Sequence, residues 1–436
     1  MNLSVEQVNE MAPDASSANA GRKLKALKNW SELGRSAEAL WGKCQGSAVY
    51  QVKVDLANLG YNCSCPSRKF PCKHVLGLLM LVAESPDAVS ETASPDWVDE
   101  WLQKRRAREE KKSAATADAP KKPVDEKARA KRAEKREARI KHGLEQLDLW
   151  LKDLVRTGLA GLEAKPTSFW TDQSKRLVDA QAPGLASRVA RLAEIPRSSR
   201  DWPERLLGEL GQLKLLIHAY QRLDELRPEL QHDVRQLVGF TVSQDELESA
   251  GEKVDDSWLV VGQSVDDDER VRSQRSWLVG RESRRTALVL QFAPGSQPFA
   301  ESIVAGIEQQ GTLLFYPGAS RQRASFLKRD DAATAWKDRA PGYDTIADFQ
   351  SQVADSLGQQ PWLGALGAVL RDVTIIRHNG DWLVRDGSGD ALPLLKKEYW
   401  KLAAITGGWP FDLAAEWDGH RLRPLGLFTA GQYWIA

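Results

Sequence analysis

The stretch CSCPSRKFPCKH, residues 63–74, places three of the four cysteines of the chain and one histidine within twelve positions. The spacing is Cys-x-Cys-x6-Cys-x-His, and it makes Cys63, Cys65, Cys72 and His74 the candidate metal ligands. Zinc prefers four such sulfur and nitrogen donors in a tetrahedron, at roughly 2.0–2.3 Å from the ion. The stretch therefore predicts one structural Zn²⁺ that folds a small module around itself.

The order of residues within this stretch suits a single tetrahedral site. Side chains two positions apart on an extended chain point to the same face, so Cys63 and Cys65 can reach one ion. Pro71 fits at or just before the first turn of a helix, which places Cys72 and His74 at the start of that helix. Four protein ligands leave no position for water, and the site is therefore expected to be structural and not catalytic.

Other roles for these cysteines fit the sequence less well than metal binding does. A disulfide among them would leave one thiol over, would give His74 no role and would suit a chain without an export signal poorly. A catalytic pair of Cys72 and His74 would need a third orienting group, and their side chains diverge at a helix start. Cys44 could replace one ligand, but the set of four ligands is complete without it. A buried free thiol is therefore expected at Cys44.

Three basic residues flank the ligands, and they allow two interpretations. Arg68, Lys69 and Lys73 would balance the net negative charge that three thiolates leave on a zinc site. They are also the sharper candidates for contact with nucleic-acid phosphates or with a protein partner. The sequence leaves both interpretations open.

Composition and charge are those of a soluble globular protein with an uneven charge distribution. At 436 residues and 42% hydrophobic residues, the chain is long enough for two or three domains. Net charge is only +1, but residues 104–141 hold sixteen Lys/Arg and seven Asp/Glu. The chain shows no secretory signal and no apolar stretch long enough to span a membrane, so a cytoplasmic location is expected.

These patterns predict an α+β multidomain protein with four parts. Residues 1–100 form a small α+β domain that contains the zinc-stabilised ββα finger. Residues 101–142 form a basic linker, disordered in its first half and a solvated helix after Pro123. Residues 143–250, divided by prolines, form an all-α domain, and residues 251–436 form a strand-rich, Trp-rich α+β domain. The linker lacks aromatic residues for base stacking, so a flexible tether is favoured there over nucleic-acid binding.

Local patterns give more detail. Residues 19–33 carry a helical pattern, residues 47–56 alternate as a strand, and residues 75–84 are apolar on nearly every side, as in a buried helix. The pairs Asn-Gly at 379–380 and Asp-Gly at 418–419 are signals for two-residue hairpin turns.

The rest of the sequence carries no recognised catalytic motif. There is no GxxxxGK[ST] loop, no GxSxG elbow and no HExxH pair. The acidic run at 266–269 lacks the spacing of a calcium loop and is expected to be a solvated turn. Nine of the sixteen tryptophans lie from Trp258 onward, where core and cross-strand packing is favoured over a sugar or peptide groove. The chain is therefore expected not to be an enzyme.

The cysteine spacing resembles the SWIM-type zinc finger, whose pattern is Cys-x-Cys, a variable spacer and Cys-x-His. The surroundings are similar to the bacterial SWIM zinc finger family in three stretches: WGKCQGSAVYQVKVDL (41–56), CKHVLGLLML (72–81) and RLVDAQAPGLASRVARL (176–192). The resemblance extends less specifically to WLVVGQS (258–264) and EWDGHRLRPLG (416–426).

This resemblance implies that Cys63, Cys65, Cys72 and His74 bind zinc and that the finger is an interaction module for DNA or protein. Members of the group are often encoded near MoxR-type ATPases and von Willebrand A-domain proteins, which implies a role as an assembly partner. Two hypotheses follow: a zinc-binding interaction and scaffold protein, or an enzyme with an unrecognised site in the C-terminal domain. A deep polar cleft with clustered perturbed groups there would favour the enzyme.

Overall fold

The structure is a computed structural model, which describes residues 5–13, 15–46, 48–56, 60–67, 69, 71–115, 126–196, 198, 201–267, 271–294, 297, 299–330, 333–336 and 338–436. These residues form twelve α-helices and three β-sheets. A small sheet with a helix comes first, a run of helices follows, and most strands lie in the last part. The predicted α+β class and the order of its parts are confirmed.

The N-terminal part combines short helices with an antiparallel sheet whose four strands pair in chain order. Its elements are α1 (Val5–Glu10), α2 (Ala15–Leu24), β1 (Trp30–Arg35), β2 (Ala39–Gln45), β3 (Val49–Asp55), β4 (Tyr61–Cys63) and α3 (Lys73–Glu84). The alternation in β3 buries Val52 and Val54 completely, while Lys53 on the opposite face is partly exposed. Helix α3 is buried throughout from His74 to Leu81, as its apolar sequence predicts. The ββα arrangement is therefore present, with β1 and β2 extending the sheet.

The helical pattern over residues 19–33 ends earlier than predicted. Helix α2 stops at Leu24, and a strand begins at Trp30. The Trp30 side chain is buried, and its Nε1 donates to the carbonyl oxygen of Leu24 at 2.6 Å. Burial of this aromatic residue at the edge of the sheet outweighs the helical spacing of its neighbours.

The first part of the basic segment is helical, which corrects the prediction of disorder for residues 104–115. Helix α4 (Asp96–Ala115) crosses the boundary predicted at residue 100. Its Val98 and Leu102 are buried against Trp41 of β2, and Arg105 Nε lies 3.1 Å from Asp55 Oδ2. The apolar first turns fix the helix on the sheet, and the Ala, Lys, Arg and Glu residues that follow are good helix formers.

The second part of the basic segment is helical, as predicted for the residues after Pro123. This helix continues without a break into the all-α part. The helices are α5 (Glu126–Thr157), α6 (Thr167–Asp179), α7 (Pro183–Arg191), α8 (Trp202–Gln221), α9 (Pro228–Val238) and α10 (Gln244–Ala250). Proline lies in the first turn of α7, α8 and α9, where its missing N–H costs no hydrogen bond. The apolar faces of α5 to α9 share one core that includes Leu147, Trp170 and Leu213. Residues 116–125, also predicted to be disordered, lie outside the described residues.

The next part is a six-stranded sheet, five strands of which close into a barrel. Its strands are β5 (Glu252–Asp267), β6 (Val271–Gly280), β7 (Thr286–Pro294), β8 (Ile307–Phe315), β9 (Arg323–Arg329) and β10 (Thr334–Ala335). The order β10-β8-β5-β6-β7-β9 is completed by a further pairing of β8 with β9. All of these pairs are antiparallel except β7 with β9, which is parallel with Val289 opposite Ala324. Trp258, Leu278 and Phe315 belong to the core of this barrel.

The C-terminal part is a second six-stranded sheet with the order β13-β12-β11-β14-β15-β16. Its elements are α11 (Ile346–Gln359), β11 (Leu366–His378), β12 (Asp381–Arg385), β13 (Ala391–Pro393), α12 (Trp400–Thr406), β14 (Phe411–Trp417), β15 (Leu422–Thr429) and β16 (Gln432–Ile435). Asn379 and Gly380 have φ of 50° and 87°, which confirms the predicted two-residue turn.

The second hairpin turn is longer than predicted. Trp417 pairs with Leu422, so the loop between β14 and β15 has four residues and not two. The carboxylate of Asp418 accepts hydrogen bonds from two backbone N–H groups inside the loop. This local side-chain bonding stabilises the longer turn.

The finger packs against one end of the barrel. Ala305 precedes β8, and its carbonyl oxygen accepts a hydrogen bond from Gln7 Nε2 of α1 at 3.1 Å. The apolar residues of the finger, such as Leu76 and Val54, form one continuous core with barrel residues such as Trp258. The finger is therefore packed against the barrel through a shared core and is not a separately folded, flexibly linked module.

The helical part and the C-terminal sheet contact the barrel elsewhere. Asp233 Oδ2 of α9 accepts a hydrogen bond at 2.8 Å from the N–H of Ala319, which follows β8 at the end opposite to the finger. On the outer face, Trp277 Nε1 of β6 donates to Glu416 Oε2 of β14 at 2.9 Å. The barrel is thus the central body to which the other three parts attach.

None of the helices in the described part of the chain has both the length and the apolar character needed to cross a membrane.

Candidate metal centre

Four side chains from two neighbouring segments converge at the start of α3. Cys63 ends β4, Cys65 lies two residues later, and Cys72 and His74 flank the first residue of α3. Their donor atoms all lie within 4.8 Å of one another. Nδ1 of His74 is 3.7 Å from Cys63 Sγ and 3.9 Å from Cys72 Sγ. Donors at the corners of a zinc tetrahedron are roughly 3.5–3.8 Å apart, so the arrangement fits a single zinc ion.

The local fold holds each side chain in place. The pairing of Cys63 with Val52 fixes the first ligand to the sheet, and Cys72 occupies the N-cap of α3 in an extended conformation. The imidazole of His74 packs against the ring of Tyr50, with the ring centroids 4.7 Å apart. This contact orients the ring so that Nδ1 faces the sulfur atoms. The extended segment at Cys63 and the helix start at Cys72 that the spacing predicts are therefore present.

The site is largely shielded from solvent, and its thiols interact strongly. Cys72 and His74 are 1% and 3% exposed, and Cys65 is only partly buried. The Cys63 thiol donates a hydrogen bond to Cys72, which lowers the pKa of Cys72 to about 4 and raises the pKa of Cys63. Three sulfur atoms at this spacing cannot all be negative unless a cation balances them. The donor set is therefore chemically suited to Zn²⁺.

The fourth cysteine stands apart from this group. Cys44 of β2 is fully buried and free, and it is absent from the group of converging donors. Burial raises its pKa to about 11, so the thiol stays protonated at neutral pH. Its expected role as a buried free thiol fits this environment.

The flanking basic residues lie on exposed positions where they are described. Lys69, in the loop between Cys65 and Cys72, and Lys73, the first residue of α3, both have exposed side chains. Arg68 lies outside the described residues. The structure therefore places two cations on the solvent-exposed side of the site.

Two supporting residues were not predicted as part of the site. Tyr50 lies within the strand predicted over residues 47–56, and its position two residues before Val52 is the signal that it faces the same side as the residue paired with Cys63. The Arg105 guanidinium lies across Gly60, where a Cβ would come within 2.3 Å of it, and it pairs with Asp55. No sequence signal connects Arg105 to the finger, because the contact spans 50 positions.

Comparison with known families identifies two segments of the chain. Residues 50–82 match the SWIM zinc finger, and residues 135–238 match the SWIM-associated four-helix bundle domain. Searches among curated proteins and among solved structures found no match to this chain. The first segment contains all four converging side chains, and the second runs from within α5 to the end of α9. The chain therefore contains a SWIM zinc finger, a zinc-binding module of the interaction type with one structural zinc.

Proposed function

We propose that this chain is a zinc-stabilised interaction and scaffold protein, whose finger contacts DNA or a protein partner. In this proposal Cys63, Cys65, Cys72 and His74 are the ligands of the zinc. The observation that carries it is the closed group of four donors, three of them buried, which leaves no coordination position for a substrate or water. A metal held in this way stabilises a surface and does not perform chemistry itself.

Only a small part of the surface of the finger is exposed and able to contact a partner. The barrel covers the side of the finger that includes α1, and α4 covers the sheet beside Trp41. The loop and first helical turn with Lys69 and Lys73 remain exposed. We assign the partner contact to this surface, together with Arg68 of the same loop. Basic side chains suit either nucleic-acid phosphates or an acidic protein surface.

The partner system follows from the resemblance of the chain to the bacterial group. Within a MoxR-type ATPase system, the chain would serve as an assembly partner that presents the finger on a rigid body. The contacts between barrel, bundle and C-terminal sheet support such a scaffold, because they connect all parts through buried or partly buried bonds.

The alternative of an enzyme in the C-terminal domain receives limited support. A polar cleft is present beside the barrel, but its lining residues include four arginines and no histidine, cysteine, aspartate or lysine. Glu229, Tyr343 and the two serines of the lining are capable of acid–base or nucleophilic chemistry, but among the described residues none of these hydroxyl groups is hydrogen-bonded to Glu229. The cleft therefore favours binding over catalysis.

The test is a pull-down from native cytoplasm, with and without nuclease, by the wild-type chain and by a Lys69→Glu/Lys73→Glu variant. Loss of capture in the variant supports the assigned surface. Sensitivity to nuclease and salt then indicates DNA, and resistance to nuclease indicates a protein partner.

The matched control is Lys23→Glu/Lys28→Glu, which changes the charge equally at two exposed lysines near α2. Zinc content must be equal in all three proteins. Capture by the Lys69/Lys73 variant at the wild-type level would contradict the proposed contact surface.

A further inference from the structure

A cleft of about 580 Å³ lies where the barrel, the helical bundle and the C-terminal part meet. The barrel contributes the loop after β6, with Arg284 and Arg285, and the loop after β8, with Arg321. The bundle contributes Arg227 and Glu229 at the start of α9, and α11 forms part of the opposite wall. None of these residues belongs to the finger, so the cleft is separate from the surface assigned to the partner contact.

The cleft is strongly basic. Four arginines face a single glutamate among the lining residues. Glu252, which lies beside the cleft, is 2.7 Å from Arg285 and 3.6 Å from Arg321, so one carboxylate serves two guanidinium groups. Within the described residues, Arg227 and Arg284 have no carboxylate within ion-pair distance. The excess positive charge therefore remains available to an anionic ligand.

Two of these arginines are held in an unfavourable backbone conformation. Arg284 has φ of 56° and Arg321 has φ of 45°, in the left-handed region that favours glycine. The Arg285 guanidinium is also stacked on Phe315 at 4.0 Å from the ring centroid. The contacts with Phe315 and Glu252 therefore hold the Arg285 guanidinium in a defined position, whereas the side chains of Arg284 and Arg321 are exposed to a ligand.

The strand order of the barrel points to the class of ligand. Five strands close in the order β5-β6-β7-β9-β8, with one parallel pair, β7 with β9. This is the arrangement of the OB fold, in which the loop between the fourth and fifth strands contributes to oligonucleotide binding. Here that loop joins β8 to β9 and carries Arg321 into the cleft. The outer face of β6 is covered by the C-terminal sheet at Trp277, which leaves the rim of the barrel for a ligand.

We propose that this cleft binds the phosphate backbone of a single-stranded nucleic acid through Arg227, Arg284, Arg285 and Arg321. A guanidinium group can donate two parallel hydrogen bonds to the oxygens of one phosphate. The walls of the cleft contain four arginines and one glutamate, so few carboxylates compete for these donors. The partly buried ring of Tyr343 also lines the cleft and offers a face for base stacking. This function is additional to the partner contact assigned to the finger.

The test measures the affinity of the full zinc-containing chain for a fluorescent (dT)12 oligonucleotide. The fluorescence anisotropy of the oligonucleotide reports binding, and the titration is repeated at several salt concentrations. The wild type should bind, with affinity falling steeply as salt rises. An Arg227→Ala/Arg284→Ala variant should bind roughly tenfold more weakly, with a salt slope smaller by about 1.4, since each phosphate contact on a single strand contributes about 0.7. Gln359→Glu, a nearly isosteric change at an exposed position on the α11 wall, should also weaken binding because it adds a negative charge.

The control is Arg156→Ala/Arg176→Ala, which removes the same charge from exposed positions of the bundle outside the cleft. Absence of binding by the wild type, or an equal loss in this control, would overturn the proposal. So would equally effective displacement of the oligonucleotide by inorganic triphosphate or by polyglutamate, which would assign the cleft to a small phosphate or to an acidic peptide. The Lys69→Glu/Lys73→Glu variant should retain (dT)12 binding, and loss in that variant alone would place the nucleic acid on the finger.

Discussion

Gln7 and Ala305 are 298 positions apart in sequence, yet Gln7 Nε2 donates a hydrogen bond to the Ala305 carbonyl oxygen at 3.1 Å. Both residues lie where the finger meets the barrel, and Gln7 is buried. The bond occurs beside a shared apolar core, so separating the two parts would expose apolar surface and leave polar groups unpaired. Zinc binding at the finger is therefore expected to influence the stability of the barrel.

The first prediction concerns the metal content. The wild-type chain should contain one zinc, and Cys63→Ser or His74→Ala should reduce the content to near zero, because three donors hold the ion much less tightly than four. Elemental analysis of the purified proteins measures this directly. Cys44→Ala is the matched control, since it removes a buried cysteine outside the donor group and should leave the zinc bound. Full zinc content in Cys63→Ser would show that the ligand assignment is wrong.

The second prediction concerns the coupling between finger and barrel. Removing zinc with a chelator should increase amide hydrogen exchange in residues 303–307 and in β8, because the finger supports this end of the barrel. Helices α6 and α8 should be unchanged, since their core is separate from that of the finger. Exchange followed by mass spectrometry resolves these segments. Unchanged exchange in β8 after complete zinc removal would show that the two parts are stable independently.

The third prediction concerns Asp233, whose burial raises its pKa to about 6, with a further contribution from the charge of Glu229. The folded state therefore holds the proton more tightly than the unfolded state does. Stability is greatest below the unfolded pKa near 4 and falls as the pH rises through about 6. Asp233→Asn should be more stable than the wild type at pH 7.5 by about 2 kcal/mol, and the gain should shrink toward pH 4.5.

Urea unfolding at these two pH values measures the difference. The amide keeps an oxygen that can accept the hydrogen bond from the N–H of Ala319, so the contact with the barrel loop is retained. Asp179→Asn, at an exposed carboxylate of α6, is the control and should not change the pH profile. A less stable Asp233→Asn at pH 7.5 would show that the carboxylate form is required.

The fourth prediction concerns two glycines of the bundle. A Cβ at Gly184 in α7 would lie 2.2 Å from the carbonyl oxygen of Leu237, a backbone atom that cannot move aside easily. Gly184→Ala should therefore destabilise the protein by about 2 kcal/mol. Gly208→Ala in α8 meets no atom within 4 Å and should stabilise it by up to about 1 kcal/mol, because alanine is the better helix former. Thermal unfolding measures the stability of both variants. If Gly184→Ala were as stable as Gly208→Ala, the close approach of α7 and α9 would be contradicted.

The fifth prediction concerns the contact of the barrel with the C-terminal sheet. Glu416 is 4% exposed, accepts from Trp277 and lies 3.0 Å from Arg275. Glu416→Ala should lower the free energy of unfolding by about 3 kcal/mol, because it leaves the buried indole N–H and part of the Arg275 charge without a partner. Glu416→Gln should cost less, since its amide oxygen still accepts from Trp277. Equal stability of these two variants would show that the hydrogen bond contributes nothing.

The parts of this molecule that the sequence predicted depend on local spacing. The four zinc donors lie within twelve positions, and the turn at Asn379 and Gly380 needs only two residues with positive φ. The buried character of α3 is also visible, because eight consecutive positions are shielded and nearly all are apolar. Such features require no knowledge of distant segments.

The parts that were not predicted depend on contacts between distant segments. The basic residues after Arg105 were predicted to be disordered because Val98 and Leu102, which fix α4, lie earlier in the helix and pack on a sheet from another segment. Barrel closure rests on the short parallel pairing of β7 with β9, which has no turn signal. The arginines of the cleft come from separate loops and a helix start, so only the folded chain brings them together.

Helix α5 has a mechanical consequence. It contains 32 residues, which at 1.5 Å per residue makes a rod about 48 Å long. From Ile140 onward it is embedded in the bundle core, whereas residues 131–135 are exposed, and no loop separates the two stretches. A force applied to the charged end would therefore tilt the bundle and pull on the barrel loop held by Asp233. The basic residues predicted to form a solvated helix after Pro123 would in this way act as the arm of a lever.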